Sequence, residues 1–212
     1  MWKFFANRRF FYIVPQILWT GASIAYFSGS LVEMMAVVIE GDDNYKFKWS
    51  MLAMVGFGFG EIFGGFFIGF IVDKFGSRIA ILTNVLIIII MFGVTAAYIL
   101  VFRFNALAWI MCFLWGFQDS AVNTQVQEVL GFEFDNTSSE PFSVYNILQS
   151  ISCIVFQLIQ SDVNGQYPYL YFAIGLFIFA LASNTLTYFF PFREALANKN
   201  TIGSILGSNH GS

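Results

Sequence analysis

Gly56–Arg78 reads GFGFGEIFGGFFIGFIVDKFGSR: an apolar, glycine-rich body, a carboxylate at Glu61, and an abrupt charged end in Asp73-Lys74-Phe75-Gly76-Ser77-Arg78. At helical spacing Gly56, Gly60 and Gly64 form one row, and Glu61, Gly65, Gly69 and Asp73 form the row beside it. Small residues in such rows let a second helix come close, and in lipid that contact is a main source of association. The pattern predicts a glycine seam on this helix and places the helix inside a bundle. It also predicts that a partner helix or a watery cavity receives Glu61, because carboxylates inside a membrane are costly.

The chain around this stretch has 212 residues, 58% hydrophobic, 20% aromatic and only 11% charged, with a mean hydropathy of +0.70. Soluble domains carry about a quarter charged residues, so the composition is that of a polytopic membrane protein. A helix crossing about 30 Å of hydrocarbon needs roughly 20 mostly apolar residues. The stretches 11–38, 49–72, 79–102, 106–130, 142–160 and 169–190 meet that need, each apolar all round. The expected architecture is therefore an all-α, six-transmembrane-helix bundle over 1–193, followed by a polar tail over 194–212. Gly41-Asp42-Asp43-Asn44 and Asn164-Gly165 read as turns, and Ser139-Glu140-Pro141 as a cap with proline in the first helical turn.

Loop charges set the expected orientation. Lys3, Arg8, Arg9, Lys74, Arg78, Arg193 and Lys199 lie on the side of the N-terminus, and only Lys46, Lys48 and Arg103 on the other. Both termini are expected on the cytoplasmic side, or the matrix side in a mitochondrion. The first 32 residues hold three basic side chains and no acid. That suits organellar import, and favours the mitochondrial inner membrane over the plasma membrane, as well as it suits simple positive-inside anchoring.

Several chemistries are unsupported. The net charge is −3 with no basic run, which argues against nucleic acid. Cys112 and Cys153 sit in apolar stretches and His210 lies in the tail, so neither a metal site nor a cofactor is expected, and no nucleophile stands beside a base. The glycines follow no strand, so they are no phosphate loop. No enzyme is expected.

Gly69-Phe70-Ile71-Val72-Asp73-Lys74-Phe75-Gly76-Ser77-Arg78 resembles the signature loop of the major facilitator superfamily, G-x-x-x-D-(R/K)-x-G-R-(R/K). Gly69, Asp73, Lys74, Gly76 and Arg78 match it, and Ser77 stands where a basic residue is usual. The resemblance implies a latch closing one face of the molecule, with Gly76 permitting the reversal and Asp73 accepting from Arg78 and a nearby helix N-terminus. Trp115-Gly116-Phe117-Gln118-Asp119-Ser120-Ala121-Val122-Asn123-Thr124-Gln125 resembles a helix of the uncoordinated-ninety-three-like branch, in the C-terminal half of its members. Pro15–Gly21 and Glu140-Pro141-Phe142 resemble neighbouring parts of that half. Facilitators are built of about twelve helices in two halves with the site between them, and this chain supplies one half.

Asp119 and Asn123, one turn apart, are candidate cavity or coupling residues, together with Glu61, Gln118 and Gln125. The alternative is inherited buried polarity, in which such residues knit helices at about 0.6 kcal/mol per bond. Three functions follow from these readings. The first is an accessory or structural subunit of a larger membrane assembly, such as a respiratory-type complex, without transport of its own. The second is half a secondary transporter, working with a second six-helix half or a twin copy. The third is a channel- or receptor-regulating member of that branch. The partners expected are the lipid bilayer and other membrane subunits.

Overall fold

The computed structural model describes residues 9–134 and 140–192. The tail over 194–212, the cap residue Ser139, and the basic residues Lys3, Arg8, Arg193 and Lys199 lie outside the described residues. Within them the chain is helical, with no strand. We number the helices α1 (Phe10–Val38), α2 (Asp43–Phe75), α3 (Ser77–Val101), α4 (Ala106–Glu133), α5 (Glu140–Gln160) and α6 (Gln166–Tyr188).

Local chemistry explains the boundaries. Asp42 Oδ1 accepts from Tyr45 N–H at 3.2 Å, so α2 begins at Asp43, six residues before the predicted apolar start at Trp49. A capping oxygen satisfies a free N–H whatever the hydropathy of the first turn. What reads in sequence as a turn over Gly41–Asn44 is thus already helix from Asp43. The reversal from α2 to α3 takes a single residue, Gly76, at φ 81°, a conformation that glycine adopts without a side-chain clash. Asn105 Oδ1 caps α4 by accepting from Leu107 N–H at 2.9 Å. One turn of α1, Phe27–Leu31, is widened to π geometry.

Among the described residues, five helices are long and apolar enough to cross a membrane: all except α4. The protein is an integral membrane helical bundle. The expectation that every predicted span is apolar all round fails at α4. Its 28 residues are long enough, but its second half is polar from Gln118 through Glu128, and neighbouring helices pack against it.

The main contacts pair α2 with α4, α1 with α5, and α3 with both α6 and α4. An aromatic core joins them: Trp115 stacks on Tyr26 at 4.5 Å, meets Phe92 edge-on at 5.3 Å, and donates its indole N–H to Thr95 Oγ1 at 2.9 Å. The predicted interior position of α2 is not observed. Only Ser50, Ala53, Phe57, Gly60, Gly64 and Ile68 are buried, a single stripe against α4. Its other faces are exposed, Phe66 to 79%. The glycines favour close approach on one face, and nothing in an apolar sequence dictates that the remaining faces be covered by protein rather than lipid.

Candidate functional site

Asp119 lies at the centre of α4 and is only 6% exposed. Ser23 on α1 donates its hydroxyl to Asp119 Oδ1 at 3.0 Å. Asn123, one turn further along α4, donates from Nδ2 to Asp119 Oδ2 at 3.1 Å and to the Asp119 carbonyl at 2.8 Å. From α5, the Tyr145 hydroxyl donates to Asn123 Oδ1. Gln149 Nε2 reaches Asn123 Oδ1 at 3.1 Å, the Tyr145 oxygen at 2.8 Å and Thr20 Oγ1 of α1 at 3.1 Å. An amide NH₂ has two hydrogens, so Gln149 serves two of these three acceptors at a time. One carboxylate and two carboxamides thus tie α1, α4 and α5 together. Their donors surround a group that can hold or release a proton.

A second cluster lies about two turns along α4 from Gln118. Gln125 Oε1 accepts from Gln16 Nε2 of α1 at 2.7 Å and from Asn84 Nδ2 of α3 at 3.3 Å. Gln16 Nε2 also donates to Asn184 Oδ1 of α6 at 3.0 Å. Four helices meet on these carboxamides. Gln118 joins neither cluster: it is fully buried, and neither its amide nitrogen nor its oxygen has a hydrogen-bond partner among the described residues. Glu61 is exposed on α2, with its backbone against Gly116, three residues before Asp119. The five sequence candidates therefore separate into one bonded pair (Asp119 and Asn123), one member of a second cluster, one isolated amide and one exposed acid.

The loop between α2 and α3 departs from its expected bonding. Asp73 and Arg78 are exposed, and no hydrogen bond or ion pair joins them among the described residues. An ion pair between exposed side chains gains little over water, and here each remains solvated. The Lys74 ammonium sits 5.4 Å from the ring centroids of both Phe70 and Phe75. Ser77, in the place of the usual basic residue, donates its hydroxyl to Glu128 Oε1 of α4 at 2.9 Å. The same end of α4 carries Glu133, paired with Arg9, and Arg9 also donates to the Pro191 carbonyl at 2.7 Å. A cleft of about 370 Å³ lies between Asp73, Gly76, Ser77, Glu128 and Phe132. The end of the bundle is held by α4 and the N-terminal turn rather than by an Asp73–Arg78 pair.

A family model described as "Ion channel regulatory protein UNC-93" matches residues 1–189. The chain belongs to the UNC-93 family. No curated protein and no solved structure matches it. The match covers α1 to α6 and therefore both polar clusters and the loop.

Within this UNC-93 family chain, the glycine row is a contact between backbones. A Cβ on Gly60 would stand 2.7 Å from Phe117 N, and one on Gly64 would stand 2.8 Å from the Phe117 carbonyl carbon. Gly116 of α4 answers from the other side, 2.7 Å from the Phe57 carbonyl carbon by the same construction. Gly56 is looser, at 3.5 Å from the Trp109 carbonyl, and Gly65 faces Ser120 Oγ at 2.9 Å. Gly69 has nothing within 4 Å. Ser23, Thr20, Tyr145, Gln16 and Asn184 were not singled out from the sequence. The available signal was spacing: Gln16, Thr20 and Ser23 lie three or four apart on α1, as Tyr145 and Gln149 do on α5.

Proposed function

We infer that this chain is a membrane-embedded regulatory or accessory subunit, without transport of its own, that binds a larger membrane protein through the outer face of α2. The observation that carries this reading is Glu61. It sits near the middle of the 33-residue α2 and is exposed beside Ile62, Phe63 and Phe66, all more than half exposed. A charged side chain at the bilayer centre costs about 2.5–3.5 kcal/mol on insertion scales. A partner helix offering a hydrogen-bond donor at that depth removes the cost. The exposed Asn146 and Ser150 of α5 are further polar groups on outward faces. The family description, an ion channel regulatory protein, supports an ion channel as the partner class. The basic, acid-free first 32 residues and the need of a half-bundle for stable neighbours support placement in a mitochondrial respiratory-type complex.

The fold we propose is a half-facilitator in which each of α1 to α6 crosses once and both ends of the bundle's chain lie on the cytoplasmic or matrix side. The helix pairing supports it. Exchanging α1–α3 with α4–α6 maps the α1–α5 contact onto α4–α2 and the α3–α6 contact onto itself. Such a pattern belongs to two three-helix repeats of inverted topology.

A second reading, half a transporter working with a second half or twin copy, is favoured by the Asp119 network, because Asn123 and Thr124 are half-buried and Gln127 is exposed beside it. Extraction of tagged wild type and Glu61→Leu in mild detergent, followed by native electrophoresis and mass spectrometry, separates the two. A heavier band holding a channel-type protein, lost in Glu61→Leu, is expected. A band holding only a twin copy or one complementary six-helix chain overturns the subunit reading. In that event Asp119→Asn, assayed for uptake in vesicles, tests the coupling role.

A further inference from the structure

At the end of the bundle away from the Gly76 loop, the link from α1 to α2 and the link from α3 to α4 border a second, open cleft of about 640 Å³. Its walls carry Glu40, Tyr45, Trp49, Arg103 and Phe104. This volume falls in the usual range for small-ligand pockets, about 300–1,000 Å³. The rings follow one another along an aromatic wall: Trp49 meets Phe104 nearly edge-on with centroids 6.3 Å apart, and Tyr45 meets Trp49 at 6.0 Å.

Backbone devices hold this wall. The Asp42 cap fixes the backbone of Tyr45. The Tyr45 ring folds over Gly41, whose φ is 136°, so closely that a Cβ there would stand 2.9 Å from ring carbon Cδ1. On the other wall, Phe102 ends α3 in the left-handed region at φ 45°, which an aromatic residue adopts at a cost. Gln166 of α6 fixes that turn by donating to the Ile99 carbonyl at 2.7 Å. The Asn105 cap then starts α4. Between these two supports, Arg103 and Phe104 are presented to the cleft.

The charges decide what the cleft fits. Glu40 and Arg103 are both exposed, both line it, and neither makes an ion pair or hydrogen bond among the described residues. An acid and a base kept apart across one aromatic-walled cleft complement a ligand bearing both signs. Aromatic faces attract a cation, and cages of them recognise quaternary ammonium groups. A guanidinium matches a phosphate through its fork of donors. The cleft opens at a helix end, the depth at which a bilayer presents its headgroups.

We propose that this cleft binds a phosphocholine group, the trimethylammonium against Tyr45, Trp49, Phe104 and Glu40 and the phosphate on Arg103, and that the group is the headgroup of a bilayer phosphatidylcholine. The site uses the first turns of α2 and is separate from Glu61 and from the Asp119 network.

The test uses the full chain purified in mild detergent and native mass spectrometry with added phosphatidylcholine or phosphatidylglycerol of equal chain length. Wild type is expected to retain phosphatidylcholine about tenfold better. Glu40→Gln, an exposed change that leaves the bundle intact, is expected to abolish that preference without weakening phosphatidylglycerol. Arg103→Gln is expected to weaken both. Equal retention of the two lipids by wild type, or an unchanged preference in Glu40→Gln, overturns the site. Water-soluble phosphocholine, titrated against tryptophan fluorescence, distinguishes the source. No response with lipid retained supports the bilayer headgroup, and saturation by the free compound overturns the bilayer assignment in favour of a soluble zwitterion.

Discussion

Gly60→Ala puts the α2–α4 seam to a direct test. The added methyl meets backbone and not a side chain that could swing away: the Phe113 carbonyl and Phe117 N, the latter at 2.7 Å. Restoring ordinary contacts near 3.5 Å, including the still closer one to the Phe113 carbonyl, moves α2 away from α4 by roughly 1–1.5 Å, and a gap of that size forfeits about half of each dispersion well. A few tens of atom pairs at about 0.1–0.2 kcal/mol each then lose about 2–3 kcal/mol, in line with about 1–3 kcal/mol for overpacked cores. The better helix propensity of alanine returns about 0.8–1 kcal/mol. The net expectation is destabilisation by about 1–2 kcal/mol. Gly58→Ala is the internal control. It has the same chemistry two residues away on the same helix, but nothing lies within 4 Å of its Cβ, so it is expected to be neutral or stabilising by up to about 1 kcal/mol. Both are measured by steric trapping in bicelles or by titration with sodium dodecyl sulfate, read by tryptophan fluorescence. If Gly60→Ala unfolds at the same point as Gly58→Ala, the two helices are not in backbone contact and the seam is refuted.

Two further outcomes are expected. Gln160 Oε1 accepts from Ser30 N–H at 3.3 Å and from its hydroxyl at 3.0 Å, so Gln160→Leu strands a donor in the widened turn of α1 at a cost of about 1–3 kcal/mol; amide exchange over 27–31 should quicken about tenfold, and unchanged exchange counts against this anchoring. A cysteine at Ser77 should be shielded from impermeant reagent applied outside the cell or organelle, and ready labelling from that side inverts the proposed orientation.

The membrane class was legible from composition alone, since so few charges cannot cover a water-facing surface. Most helix positions were legible too, because charges and glycines interrupt the apolar runs where lipid ends. The boundaries that sequence reading misplaced are those set by capping: Asp42 starts α2 six residues early, and no hydropathy window sees a side-chain oxygen accepting from Tyr45. The glycine row identified the face of α2 that approaches another helix. It could not name α4 as that helix, because the complementing Gly116 is distant in the chain and unremarkable in its own surroundings.

The residue types of the candidate site were visible and their grouping was not. Asp119 with Asn123 is a local pair, one turn apart, and spacing alone puts them together. Joining Asp119 to Ser23, Asn123 to Tyr145, and Gln125 to Gln16 depends on which helices touch, with partners up to 109 residues apart. Sequence by itself fixes how far each stretch runs, which face is small and which groups are too polar for lipid. The tertiary structure alone decides which polar groups bury one another and which remain outward. That separation turned Asp119 into the centre of a network and left Glu61 facing out, although both are carboxylates near the middle of long helices. In hydrocarbon each must find a partner, and only the packed neighbours determine whether that partner lies within the chain or beyond it.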